Sequence, residues 1–128
     1  MTDGIDAIDE PGLARLVDAF YARVRADEEL GPVFNDAVHD WPEHLETLTA
    51  FWSSVMLTSG RYKGRPMQAH FRHRERITPA LFDRWLGLWR ETSVELMPPR
   101  AAAMLQNKAD KIAESLKLGL FFRIAPGA

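Results

Sequence analysis

The chain has 128 residues, 46% of them hydrophobic and 27% charged, with a formal net charge of −2. That balance fits one globular domain with a real core, and it argues against nucleic acid as the main partner, since phosphate neutralisation needs a clustered positive excess. The absence of cysteine excludes a disulfide framework, a thiolate metal site, an iron–sulfur cluster and covalently attached haem.

The N-terminal stretch Met1-Thr2-Asp3-Gly4-Ile5-Asp6 is acidic and carries no apolar run, so no signal peptide is expected. No apolar stretch is long enough to span a bilayer. A cytoplasmic protein with no membrane partner is the expectation.

Apolar spacing is helical along the whole chain and strand-type alternation is absent. The first helix is predicted from about Pro11 to Ala26, with Asp9 as N-cap and Glu10 and Pro11 in the first turn. Leu13, Leu16, Val17, Phe20, Tyr21 and Val24 share one stripe of it. Leu30-Gly31-Pro32-Val33-Phe34 is expected to break the helix and form a tight connection.

A second helix is predicted from the N-cap Asp40 through Leu57, with Trp41, His44, Leu45, Leu48, Phe51, Trp52, Val55 and Met56 on one face. Ser59-Gly60 ends it, and a basic loop follows. Pro66 is positioned to start a short helix carrying Met67 and His70. Thr78-Pro79, an N-cap followed by proline at the first helical position, opens a further helix lined by Leu81, Phe82, Trp85, Leu88 and Trp89. Pro98-Pro99 stops that helix. The last one runs to about Arg123 on a stripe of Leu105, Ala109, Ile112, Ala113, Leu116 and Leu120, and the tail from Ile124 is expected to fray. Four substantial helices and one or two short ones result. The pattern is equally compatible with a plain bundle and a compact globin-like packing.

Several residues on these elements can carry chemistry. His44 lies on an apolar stripe and must place two ring nitrogens. A backbone carbonyl or a water would satisfy it without any function. Tyr21 and Trp85 each bring one polar tip to an otherwise apolar face, and each is also readable as a core aromatic with one hydrogen bond. Together the three can converge on a small polar ligand in an apolar cavity. His70 stands in a basic segment and reads locally as an exposed loop histidine. His73, three residues on, makes a two-histidine site conceivable, but neither a Glu-x-x-His pair nor His-Glu-x-x-His occurs. Arg61, Lys63, Arg65, Arg72, Arg74 and Arg76, with Glu75 as the only acid among them, form either a solvated face or a site for ligand carboxylates. No nucleophile motif, Gly-x-Gly-x-x-Gly or P-loop is present.

Taken together, these segments resemble the truncated haemoglobins, most closely their third group, over about residues 9 to 123. Phe20-Tyr21 is similar to the pair that the family's first long helix presents to the pocket. Leu30-Gly31-Pro32-Val33-Phe34 resembles the turn whose phenylalanine packs on the haem face. Trp41-Pro42-Glu43-His44 with Phe51-Trp52 resembles the distal helix. Tyr62-Lys63-Gly64-Arg65-Pro66 with His70 resembles the loop and proximal ligand, and Phe82-Asp83-Arg84-Trp85-Leu86 the helix that places an indole over the distal pocket. The Gly-Gly signatures of the first two groups are absent.

The resemblance implies an all-α, globin-like helical sandwich in a single domain over residues 1–128, with frayed termini. It implies a non-covalent haem b whose iron is ligated by His70, with Phe20, Phe34, His44, Leu48, Phe51, Trp52, Met56, Tyr62, Met67 and Trp85 around it. Tyr21, His44 and Trp85 would be the reactive distal set. The implied ligands are dioxygen, carbon monoxide, and nitric oxide or peroxide, with a reductase as partner. Reversible ligand binding, redox chemistry on nitric oxide or peroxide, and a cofactor-free helical binding module are the three functions left open.

Overall fold

The computed structural model describes residues 8–121. Six helices account for most of them, and no strand occurs among the described residues. No helix among them is long and apolar enough to cross a membrane.

Helix α1 spans Glu10–Ala26. The Asp9 carboxylate accepts the Gly12 N–H at 2.8 Å, and Pro11 sits in the first turn, where its missing donor costs nothing. Its stripe from Leu13 to Val24 is buried as the spacing predicts. This is the central helix: α2, α3 and α5 all pack on it.

The next segment corrects the sequence expectation. Leu30-Gly31-Pro32-Val33-Phe34 is not an irregular connection but the body of helix α2, Leu30–Ala37. Pro32 is its third residue, within the first turn whose N–H groups have no intrahelical partner in any helix. The real break lies at Asp27, whose Oδ2 accepts the N–H groups of Glu29 at 3.0 Å and Leu30 at 2.9 Å. Gly31 then runs so close to the end of α1 that a Cβ there would lie 2.6 Å from the Arg25 carbonyl oxygen.

Helix α3 spans Trp41–Leu57 and starts on Asp40, whose Oδ1 accepts the Glu43 N–H at 3.1 Å. It ends at Leu57, as the spacing predicts, where Thr58 takes the left-handed conformation at φ 53° and closes onto the Ser54 carbonyl. Helix α4, Pro66–Phe71, is the short helix that Pro66 announces. Helix α5, Pro79–Leu96, starts on Thr78, whose hydroxyl accepts the Leu81 N–H at 3.2 Å. Helix α6, Pro99–Phe121, presents Ala101, Ala102, Ala109 and Ala113 in its buried face. Those small side chains let α5 and α6 approach as an antiparallel pair. The predicted end at Arg123 and the tail from Ile124 lie outside the described residues.

The core is built from rings. Phe20 meets Tyr21, Trp85 and Trp89 edge to face, at centroid distances of 4.7, 5.1 and 4.9 Å. Trp89 stacks on Trp85 at 5.7 Å and on Trp52 of α3 at 4.5 Å. Offset stacks and edge-to-face contacts at these distances are the favoured ring geometries. The Trp89 indole N–H donates to the Leu105 carbonyl at 3.2 Å, which locks α5 to α6.

Candidate functional site

Helix α3 has two apolar flanks, and they meet different fates. Trp52 and Ser53 are buried toward α1 and α5. His44, Leu48, Phe51 and Val55, spaced by one or two turns on the other flank, are only half-buried. Among the described helices the principal packing partner of α3 is α1, and α4 packs mainly on α6. These side chains border the region between α3 and the segment that carries His70, which is the candidate chamber. Large apolar side chains left half-exposed on one face mark a place where something else is to be bound.

On the α4 side, His70 Nδ1 lies 2.7 Å from the carbonyl oxygen of Pro66, one turn earlier. A carbonyl only accepts, so Nδ1 carries the proton and Nε2 keeps its lone pair. Burial lowers the His70 pKa, the Pro66 carbonyl opposes that shift, and the charge of His73 adds to it. Phe82 stacks beside the imidazole at 6.4 Å and an interplanar angle of 22°. The result is a fixed, neutral imidazole, the form that binds a metal.

On the other side, Tyr21 lies 5.8 Å from Phe34, 6.1 Å from Trp41 and 6.4 Å from His44, centroid to centroid. Burial pushes its phenol far above the ordinary value, and the Trp85 indole N–H, hydrogen-bonded to the phenolic oxygen, partly counters this. Tyr21 therefore keeps its proton. His44 has its pKa lowered, first by burial and then by the charge of His70.

Not every predicted site residue sits on this chamber. Phe34, His44, Leu48, Phe51, Met56, Tyr62, Met67, His70 and Trp85 are half-buried, and Tyr62 packs on Phe51 at 5.2 Å. Phe20 and Trp52, at 0% and 2% exposure, pack against the rings of Trp85 and Trp89. Met67 packs toward Gly119 of α6. His73 is exposed beyond the end of α4, and no cluster of three or more His, Cys, Asp or Glu that could hold a bare metal ion occurs among the described residues. Two ring residues were missed. Trp41 touches His44 at 5.5 Å and is covered by the Arg25 guanidinium at 4.6 Å, and Phe82 stacks on His70. The spacing of Trp41 three residues before His44 was the available signal for the first. A separate cleft of about 540 Å³ opens on the α1-facing flank of α3, between Glu10, Asp18, Leu45, Glu46 and Arg61, and takes no part in this site.

An all-helical sandwich built round one central helix has the architecture of a globin in abbreviated form. Comparison with known proteins agrees. The bacterial-like globin family model matches residues 6–116. The chain is 33% identical over 91 residues to the group 3 truncated hemoglobin ctb of Campylobacter jejuni, covering 68% of this chain and 71% of that protein. The crystal structure of the group III truncated hemoglobin from Campylobacter jejuni superposes with a TM-score of 0.82 at 28% identity, over 94% of this chain and 98% of the other. The chain belongs to the bacterial-like globins, and within them to the group III truncated haemoglobins.

Membership implies a haem cofactor, and the residues present fit one. A lone imidazole is too few ligands for a bare ion, but it suffices for iron that arrives already held by a porphyrin. The half-buried aromatic and aliphatic chamber suits the ring's flat apolar faces.

Proposed function

We propose that the protein is a haem-binding truncated haemoglobin that holds dioxygen or another diatomic ligand opposite His70. The observation that carries this reading is His70, its Nδ1 anchored at 2.7 Å on the Pro66 carbonyl, within a fold that matches a group III truncated haemoglobin.

In that reading a non-covalent haem b, held by His70, would supply an iron able to bind a diatomic ligand. His70 Nε2 is the protein ligand, and the Pro66 carbonyl fixes its orientation and raises its basicity. Tyr21 O–H donates to the ligand, with its own oxygen polarised by the Trp85 N–H. Two donors in series strengthen one another in a site of low dielectric. His44, neutral and between Tyr21 and Trp41, serves as gate or third donor. Phe34, Leu48, Phe51, Met56, Tyr62 and Met67 exclude water.

Redox chemistry on nitric oxide or peroxide is the second reading. A protonated, polarised Tyr21 aimed at a ligand would also assist O–O cleavage. The deciding experiment is the absorption spectrum of the haem-reconstituted protein, oxidised, reduced and under carbon monoxide, followed by dioxygen and nitric oxide kinetics. A stoichiometric histidine-ligated spectrum supports the globin reading. No haem uptake would leave a cofactor-free helical module.

A further inference from the structure

We infer that the exposed cations bracketing α4, namely Lys63, Arg65 and Arg72, form a docking surface for an acidic electron-donor protein. The inference rests on the haem reading above and names the partner that would serve that site.

Charge is unevenly spread along this chain. Six of the sixteen Lys and Arg residues and one of the eighteen acids fall within residues 61–76, so that segment carries +5 and the rest of the chain −7. A near-neutral protein thus gathers positive charge in the segment around the helix that carries His70. Positive charge concentrated in this way attracts an incoming negative surface.

Part of this charge is used internally. Arg61 pairs with Glu10 and Arg76 with Asp36. Arg74 lies 4.1 Å over the Phe71 ring and donates to the Phe71 carbonyl at 3.0 Å. Lys63, Arg65 and Arg72 are exposed and make no ion pair among the described residues. Arg65 immediately precedes α4 and Arg72 immediately follows it. A helix of six residues is about 9 Å long, so one cation stands at each end of the element that presents the candidate iron ligand.

Between them, Met67, Gln68, Phe71 and Arg72 line an open concavity of about 510 Å³. Apolar surface inside a charged rim is the anatomy of a transient protein contact. A small-anion site would instead converge its cations on one point. Nucleic acid is disfavoured because a duplex would also meet the −7 of the remaining chain.

The donor's class follows from the site. A globin that holds dioxygen must be kept ferrous. The partner is a one-electron carrier with an acidic surface, such as a flavoprotein hydroquinone. It loses one electron and ferric iron gains it, with no bond made or broken in either protein.

The test uses the haem-loaded protein and its Lys63→Glu/Arg65→Glu/Arg72→Glu variant. Reduction of the ferric forms by a flavodoxin hydroquinone, an acidic flavoprotein, is followed by stopped flow at rising salt. Calorimetric titration with oxidised flavodoxin reads docking directly. The wild-type rate should fall steeply with salt, and the variant should be at least about tenfold slower at low salt, converging on the wild type at high salt. Oxidised flavodoxin should bind the wild type and not the variant. Equal low-salt rates would overturn the inference. So would equal slowing with photoreduced riboflavin, an uncharged reductant, since that places the damage inside the site. Duplex DNA or inorganic phosphate binding the wild type as well as flavodoxin does would overturn it too. If the wild type takes up no haem, the globin reading fails, and the titration alone still decides whether the surface docks an acidic protein.

Discussion

His70 and Pro66 are joined within a single turn of helix, the imidazole Nδ1 lying 2.7 Å from the proline's carbonyl oxygen. The proline starts the helix, and its carbonyl selects the histidine's tautomer. One short element therefore both places the imidazole and leaves Nε2 as its open nitrogen. Replacing His70 by Ala should abolish the histidine-ligated spectrum of the haem-loaded protein, and added imidazole should restore it. A spectrum unchanged in the variant would remove His70 from the role.

The second prediction concerns the far wall. Tyr21 is buried, holds its proton, and has its oxygen bonded by Trp85. A hydrogen bond to a charged group contributes about 1.5–3 kcal/mol, so Tyr21→Phe should speed dioxygen dissociation by about tenfold to a hundredfold. Trp85→Phe should have a smaller effect, and in the double variant it should add little once the phenolic oxygen is gone. Additive effects in this cycle, measured by ligand-dissociation kinetics, would mean that the two groups act on the ligand separately and not in series.

Much of this arrangement is readable from residue order. The caps Asp9, Asp40 and Thr78 and the prolines after them mark helix starts to within a residue, because capping is a local interaction. What escaped is set by packing between distant segments. Pro32 reads as a breaker until Asp27, held by Arg84 at 2.7 Å from 57 residues away, is known to mark the true break. Phe20 and Trp52 share stripes with the candidate pocket residues and pack against the stacked indoles of Trp85 and Trp89. A stripe does not distinguish the side facing a cofactor from the side facing another helix. The pairing of Tyr21 with Trp85 likewise depends on how α5 crosses α1 and has no local signature.

Two half-buried imidazoles give the apoprotein a pH dependence. His44 and His70 both have folded pKa values below the ordinary histidine value, chiefly through burial. Between the lowered and the ordinary value the unfolded chain binds more protons than the folded one, so stability rises with pH there. It should be complete above about pH 7 and decline as pH falls below the unfolded histidine value of about 6.5. Urea midpoints of the cofactor-free protein at pH 7.5 and 5.5 should differ more in the wild type than in His44→Gln. The same difference in both would show that His44 does not contribute.

Two glycines should respond to alanine with opposite signs. At Gly31 a Cβ would lie 2.6 Å from the Arg25 carbonyl oxygen and 3.5 Å from that of Val24. Both are backbone atoms at the end of α1, so relief requires moving α2, and with it the half-buried Phe34 that packs on Tyr21. Overpacking of this kind costs about 1–3 kcal/mol. At Gly87, within α5, a Cβ would meet nothing within 4 Å. There alanine removes backbone freedom from the unfolded chain and improves helix propensity, which should stabilise by about 0.5–1 kcal/mol. Thermal or urea unfolding of Gly31→Ala and Gly87→Ala reads both. Gly31→Ala should also disturb ligand dissociation through Phe34 and Tyr21, whereas Gly87→Ala should leave it unchanged. A neutral Gly31→Ala would mean that the α1–α2 corner yields more easily than its close backbone contact implies.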